Sequence, residues 1–327
     1  MKPMRPFLLT LALVWTAASM AGFLYSQQQN IPSALLSALL PAFLLEIGFY
    51  LVTGFEWARR AFDSLGPKPV RAFLLLSSAV APYLIESSRT GSFSLRSFLM
   101  LTALAAMASF WYVILPASLG MDLLFLCLLA AVSLTKIFAE IYVRPTPGLQ
   151  LEILGRLMWI RLSIMAILSV RGLAGARVGF LPNAKEWRVG IEQFVYFLAV
   201  GGAVAYFLRF ANFRPVPLAW WKFALFVPGT FLAILWVVAL SEEFFFRGFL
   251  QPLLARGFGS ETAGLIVASA LFGGVHLWFR KFPNWRFAVV AAVAGLFYGI
   301  AYRRARSIRA SMVTHALVVT AWKSLFA

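Results

Sequence analysis

Residues Trp221–Leu250 read WKFALFVPGTFLAILWVVALSEEFFFRGFL, and after Lys222 the run carries no charge until Glu242. A helix needs only ~20 apolar residues to cross a hydrocarbon core of ~30 Å. The run lacks the period-2 alternation of a barrel strand, so its backbone groups must be satisfied within a helix. The whole chain has the same character. Of its 327 residues, 61% are hydrophobic and 13% charged, and its mean hydropathy is +0.84. A soluble protein of that composition would have too little polar surface to cover itself. The predicted fold class is all-α, a polytopic transmembrane helical bundle of about ten or eleven spans. The candidate spans are 6–25, 33–54, 72–87, 98–118, 122–142, 153–171, 189–209, 221–250, 261–278, 286–303 and 310–326. Arg156 and Arg161 interrupt the sixth, which leaves open that it lies along the interface instead.

The net charge of +17 falls mainly in short connections. Arg59, Arg60, Lys68 and Arg71 lie in 55–71, Arg177, Lys185 and Arg188 in 172–188, and Arg303, Arg304, Arg306 and Arg309 in 303–309. There the charges orient helices and meet anionic lipid. With Lys2 and Arg5 before the first span, a cytoplasmic N-terminus is expected, in the cell (plasma or inner) membrane. No basic stretch is long enough to fold by itself, so no nucleic-acid partner is expected. The single cysteine, Cys127, excludes an internal disulfide framework and is expected to be a small buried hydrophobe. Pro and Gly at Arg144–Gly148 and through Gly172–Lys185 mark breaks between helical groups. They suggest N-terminal transmembrane helices over 1–150 and a second unit over 170–327. In the first group Glu46 is an intramembrane acid, and Lys136 with Glu140 forms an i,i+4 pair read as structural.

Within SEEFFFRGFL, helical spacing divides the charges. Glu243 and Arg247 are four apart with the acid N-terminal, the favourable order for a helical ion pair. Glu242 is rotated by ~100° and has Phe246, not a base, four residues on. It is suited to take a proton from water and return it. By themselves these residues fit an interfacial snorkelling cluster equally well. The chain's two histidines, His276 and His315, both fall in the apolar spans that follow. Phe272 and Ser269 share the His276 face, and Gly273 and Gly274 would let a neighbouring helix approach. Gly295-x-x-x-Gly299, extended back to Ala291, reads as a packing stripe. There is no His-Glu-x-x-His helix, no Gly-x-Ser-x-Gly elbow and no Walker A loop.

Glu242-Glu243-Phe-Phe-Phe-Arg247 and Phe272-Gly-Gly-Val-His276 match, in order, the EExxxR and FxxxH motifs of the CPBP family of glutamic intramembrane proteases. This is also called the CAAX protease and bacteriocin-processing, or Abi, family. The resemblance runs over roughly 170–327, with Gly179-Phe180-Leu181 similar to the family's lead-in, and leaves the first 150 residues unexplained. It implies an intramembrane endopeptidase, with Glu242 and His276 activating a water, Glu243 and Arg247 fixing the helix, and His315 stabilising the oxyanion. The implied substrate is a membrane-anchored or membrane-proximal peptide or protein in the lipid bilayer. No cofactor is implied. Two carboxylates and two histidines can bind zinc, but Arg247 beside Glu243 opposes a dication, so no metal is expected. The family's third motif is His-x-x-x-Asn or Asp, whereas His315 is followed by Val319. That departure supports an alternative, a catalytically weak or inactive binding or immunity module of the same fold. A proton-coupled transporter is a further rival, disfavoured by the lack of paired interrupted helices.

Overall fold

The structure, a computed structural model, describes residues 4–146, 148–173, 177–279 and 281–326. Lys2, Pro147 and part of the Gly172–Lys185 break lie outside the described residues. Among the described residues the chain is 81% helical with no strands. In chain order the helices are α1 (Met4–Gln28), α2 (Ser33–Gly54), α3 (Glu56–Asp63), α4 (Lys68–Thr90), α5 (Leu95–Ile114), α6 (Leu119–Leu134) and α7 (Ile137–Ile141). They continue with α8 (Glu152–Arg171), α9 (Ala184–Phe207) and α10 (Trp220–Phe258). The last three are α11 (Glu261–Val275), α12 (Trp285–Ala305) and α13 (Ile308–Leu325). Among the described residues, nine helices (α1, α2, α4, α5, α8, α9, α10, α11 and α12) are long and apolar enough to cross a membrane, α11 with its final turn to Trp278. The chain is an integral multi-pass membrane protein of the helical-bundle class.

Two expected spans differ from this set. The stretch 122–142 is not one helix: α6 ends at Leu134, Thr135 is extended, and Lys136 becomes the N-cap residue of the five-residue α7. The break separates Lys136 from the helical geometry its expected pairing with Glu140 required, and both side chains are exposed. In the other, 310–326, α13 forms but is less apolar, since Ile308–Leu325 includes Arg309, His315 and Lys323, and it buries Ser311, Thr314 and His315.

The chain divides into two compact units, Met1–Ala174 and Gly175–Ala327. In the first, α8 is the central helix, with 72% of its apolar window buried. Arg161, expected to interrupt it, explains its position instead. Its guanidinium donates to both Glu46 carboxylate oxygens, at 2.6 and 3.0 Å, and to the Ser78 hydroxyl and carbonyl, each at 2.8 Å. Both charges are buried, and each satisfies the other where neither could remain alone. An orientation along the interface does not suit a helix that packs inside its unit. Asp122 and Arg171 repeat the device, with Arg171 donating at 2.7 and 2.6 Å and Tyr112 at 3.0 Å. Cys127 is exposed on α6 rather than buried; Phe125 and Leu129 take the buried face.

In the second unit, α9 begins with a reciprocal cap: Asn183 accepts from the Glu186 N–H, and Glu186 accepts from the Asn183 N–H. α12 packs against α9, α11 and α13, and α13 also packs on α9 and α10. Small residues set these distances. A Cβ on Gly190 would lie 2.6 Å from Val313, and one on Gly299 2.2 Å from Leu265, so the stripe through Gly299 is a packing surface. The two adjacent glycines of α11 differ. A Cβ on Gly273 would come within 2.4 Å of the Ala288 carbonyl oxygen, whereas at Gly274 nothing lies within 4 Å. Gly273→Ala is therefore expected to destabilise the protein by about 1–3 kcal/mol through overpacking. Gly274→Ala should be neutral or slightly stabilising, since alanine is the better helix former. Thermal unfolding of the two purified variants in detergent measures the contrast, and equal effects would remove the close approach as its cause.

Candidate active site

α10 is long enough, at 39 residues, to extend roughly 58 Å if regular, but it is not regular. Ile234–Ala239 and Phe244–Leu250 are wound as π-helix, on either side of the short α-helical turn Leu240–Glu243. Pro252 follows the second π stretch; it lacks the N–H that would bond back to Gly248, and its ring crowds that carbonyl. The widened turn starts one residue after Glu243 and takes in Arg247.

Glu243 and Arg247 remain together but only loosely: Arg247 Nη1 donates to Glu243 Oε1 at 3.4 Å, and Nε lies 3.3 Å from Oε2, outside hydrogen-bond geometry. Arg247 has other support. Its Nη2 donates to the Gly295 carbonyl at 3.0 Å, and its guanidinium carbon lies 4.4 Å from the centre of the Phe272 ring and 5.3 Å from that of Tyr298. A Cβ on Gly295 would sit 3.1 Å from Arg247 Nη2, so this glycine of the packing stripe also leaves room for the guanidinium. Both charges are fully buried.

The tightest partner of Glu243 is His315. The ring Nδ1 is 2.7 Å from Glu243 Oε1, and the ring Nε2 is 3.9 Å from Glu242 Oε2. With Nδ1–H donating to the carboxylate, Nε2 is the nitrogen turned towards Glu242. Glu242 is the accessible member of the group: its side chain is 33% exposed, against 0% for Glu243 and 4% for His315. The His315 ring stacks on Tyr298, centroids 4.6 Å apart and planes 12° from parallel. Sequence reasoning misses Tyr298. Its signal is its place three residues after Gly295, on the face that packs inward.

His276 stands apart from this hydrogen-bonded group. It ends α11 at a tight turn, is half-buried, and its Nδ1 is 2.7 Å from the Phe272 carbonyl oxygen. Among the described residues none of its nitrogens makes an ion pair with a carboxylate. The link between the histidines is Phe272, whose ring centre is 4.8 Å from that of His276 and 6.0 Å from that of His315. The aromatic residue of Phe-x-x-x-His is thus the hub against which Arg247, His276, His315 and Tyr298 pack.

Two helical motifs of the same spacing and order as the CPBP pair therefore meet around one ring, with two glutamates on either nitrogen of a histidine. The comparison with protein families agrees. Residues 223–321 match the family model described as type II CAAX prenyl endopeptidase Rce1-like. No curated protein and no solved structure matches the chain. The Rce1-like segment contains both motifs and His315, supports the CPBP resemblance, and supports an intramembrane CAAX endopeptidase-type function, that of a protease. It stops short of the expected similarity on the N-terminal side, leaving 170–222 outside.

Within the Rce1-like segment, the position four residues after His315 is occupied by Val319, half-buried and without a polar atom. Of the two hydroxyls near it in sequence, Thr314 is committed, donating to the Gly190 carbonyl at 2.9 Å and the Ala310 carbonyl at 3.2 Å. The Thr320 hydroxyl is buried without a hydrogen-bond partner, but five residues place it ~140° around the helix from His315. Among the described residues, no three His, Cys, Asp or Glu side chains gather as a metal-binding group.

Proposed function

We propose that the protein is a glutamic-type intramembrane endopeptidase that hydrolyses a peptide bond of a membrane-anchored or membrane-proximal substrate. The observation that carries this reading is the Glu243–His315–Glu242 arrangement, 2.7 Å on one side of the ring and 3.9 Å on the other. Glu243 orients His315 as the third group of a triad orients its base. A hydrolytic water between His315 Nε2 and the exposed carboxylate of Glu242 would be polarised from both sides. Glu242 takes its proton, the resulting hydroxide attacks the scissile carbonyl, and the proton is returned to the leaving amine. Arg247 supports Glu243. His276, whose Nδ1–H donates to the Phe272 carbonyl, keeps Nε2 as an acceptor, able to assist Glu242 in drawing a proton from the hydrolytic water. The pairing of His315 with both glutamates gives it a larger share of the chemistry than the sequence resemblance implied. The donor set favours metal-independent hydrolysis, because Arg247 occupies the space beside Glu243 that a dication would need. The chain is read as two functional parts, with 1–150 outside the protease core and the C-terminal helices as that core, in the cell membrane.

Val319 supports a second reading, a weak or inactive binding module of the same fold. Both are tested by the rate at which full-length protein in nanodiscs cleaves membrane-anchored fluorogenic peptides, alongside Val319→Asn. The wild type is expected to cleave. The added amide should raise turnover by up to roughly tenfold, a fraction of the 10²–10³ that a fully preorganised oxyanion donor contributes. Cleavage by Val319→Asn alone would favour the binding module, and cleavage by neither would overturn the protease.

A further inference from the structure

The second unit carries a cationic cavity that the catalytic chemistry does not use. It lies where the C-terminal end of α10 meets the start of α11 and the corner between α12 and α13. Two adjoining pockets of about 390 and 310 Å³ share Glu261, Arg303 and Arg306; Arg304 lines the first, and Gln251, Arg256 and Tyr302 the second. Four arginines meet few acids there. Glu261 lies 3.3 Å from Arg303 and 3.2 Å from Arg306, and Glu192 lies 2.7 Å from Arg304. Two carboxylates against four guanidiniums leave two positive charges unmatched, and Arg256 makes no ion pair among the described residues.

The guanidiniums reach solvent, 45% exposed at Arg304 and 71% at Arg306, and the backbone of this corner is unusual. Arg306 has a left-handed backbone, φ 52°, a conformation in which glycine or asparagine is the easier choice. An arginine is nonetheless held at that corner. Gln251, 3% exposed, lines the same cavity, and its Oε1 has no hydrogen-bond partner. That oxygen is packed against Gly299, where a Cβ would lie 2.7 Å from it, so Gln251 closes the cavity wall on the helix interface.

We propose that this cavity binds a phosphate group, presented by an anionic phospholipid or as free phosphate. Guanidiniums match phosphate oxygens in bidentate fashion and bear desolvation better than ammonium groups. The position at the helix ends of a membrane bundle, in the basic 303–309 corner, is where a phospholipid headgroup would meet it.

The test follows the thermal unfolding of full-length protein in a neutral detergent, titrated with phosphatidylglycerol, phosphatidylcholine or inorganic phosphate. Phosphatidylglycerol is expected to raise Tm by roughly 5 °C at saturation, as a ligand that binds only the folded state must. Raised salt should diminish the rise. The variant Arg256→Gln/Arg306→Asn removes two charges while asparagine tolerates the left-handed corner, so it should fold and lose most of the shift. A shift with inorganic phosphate equal to that with phosphatidylglycerol would identify the free anion as the ligand. An equal shift with phosphatidylcholine, an undiminished shift in the folded variant, or no shift with either anionic probe would overturn the proposal.

Discussion

Glu242→Gln is expected to lower the rate of peptide cleavage by roughly 10³-fold or more, with little change in stability. The amide has the carboxylate's shape but cannot accept the proton of a hydrolytic water, and positioned acid–base catalysis contributes about 10²–10⁴. The side chain is one-third exposed and lies 3.9 Å from its nearest ionic neighbour. Its replacement therefore breaks no tight pair, and the unfolding midpoint should move by no more than a surface substitution does, about 0.5 kcal/mol. Activity and stability are thus expected to separate. The measurement is initial rate on a membrane-anchored fluorogenic peptide, with and without chelator, beside a thermal melt of each protein. Undiminished cleavage by Glu242→Gln would sink the glutamate mechanism. Loss of wild-type cleavage on chelation, restored by zinc, would favour a metal-dependent protease instead.

Arg247→Met is expected to have the opposite signature, a large loss of stability that carries activity with it. The guanidinium and the Glu243 carboxylate are both fully buried. Removing one partner leaves a buried charge uncompensated, which costs about 3–5 kcal/mol. The Gly295 carbonyl also loses its donor, and the aromatic shell of Phe272 and Tyr298 loses its cation. The double variant Glu243→Gln/Arg247→Met removes both charges and should recover more than half of the lost stability. It should not recover cleavage, because a neutral amide in place of the Glu243 carboxylate would hold His315 less strongly. Chemical denaturation of the wild type and the two variants in one detergent measures the coupling. A double variant no more stable than Arg247→Met would show that packing and the Gly295 contact, not charge compensation, hold the helix.

Much of this protein is legible along the chain because its signals are local. An uncharged apolar run longer than a bilayer core is read from one segment at a time, and so are the helical bundle and most of its spans. Where a span failed, the cause was also local but weak: Thr135 and Lys136 end α6 without a proline or glycine to announce it. The motifs Glu242-Glu243-x-x-x-Arg247 and Phe272-x-x-x-His276 are each contained within little more than one turn of helix, so their spacing alone was enough to pick them out.

What required the tertiary structure were the partners of charges and rings far apart in sequence. Arg161 reads as an interruption until Glu46, 115 residues away, is found against it. Glu243 reads as the partner of Arg247 until His315, 72 residues on, proves closer to it at 2.7 Å. Helical spacing also assumes a regular helix, whereas the chain is wound as π-helix from Phe244 to Leu250, and the pair that the spacing predicts is joined by a hydrogen bond of 3.4 Å. The sequence by itself determined the membrane class and the residues that bear the charges, since hydropathy and i,i+4 periodicity are properties of short segments. Only the packing of α10, α11, α12 and α13 decided which histidine stands between the two glutamates, because that depends on side chains from separate helices competing for one buried space.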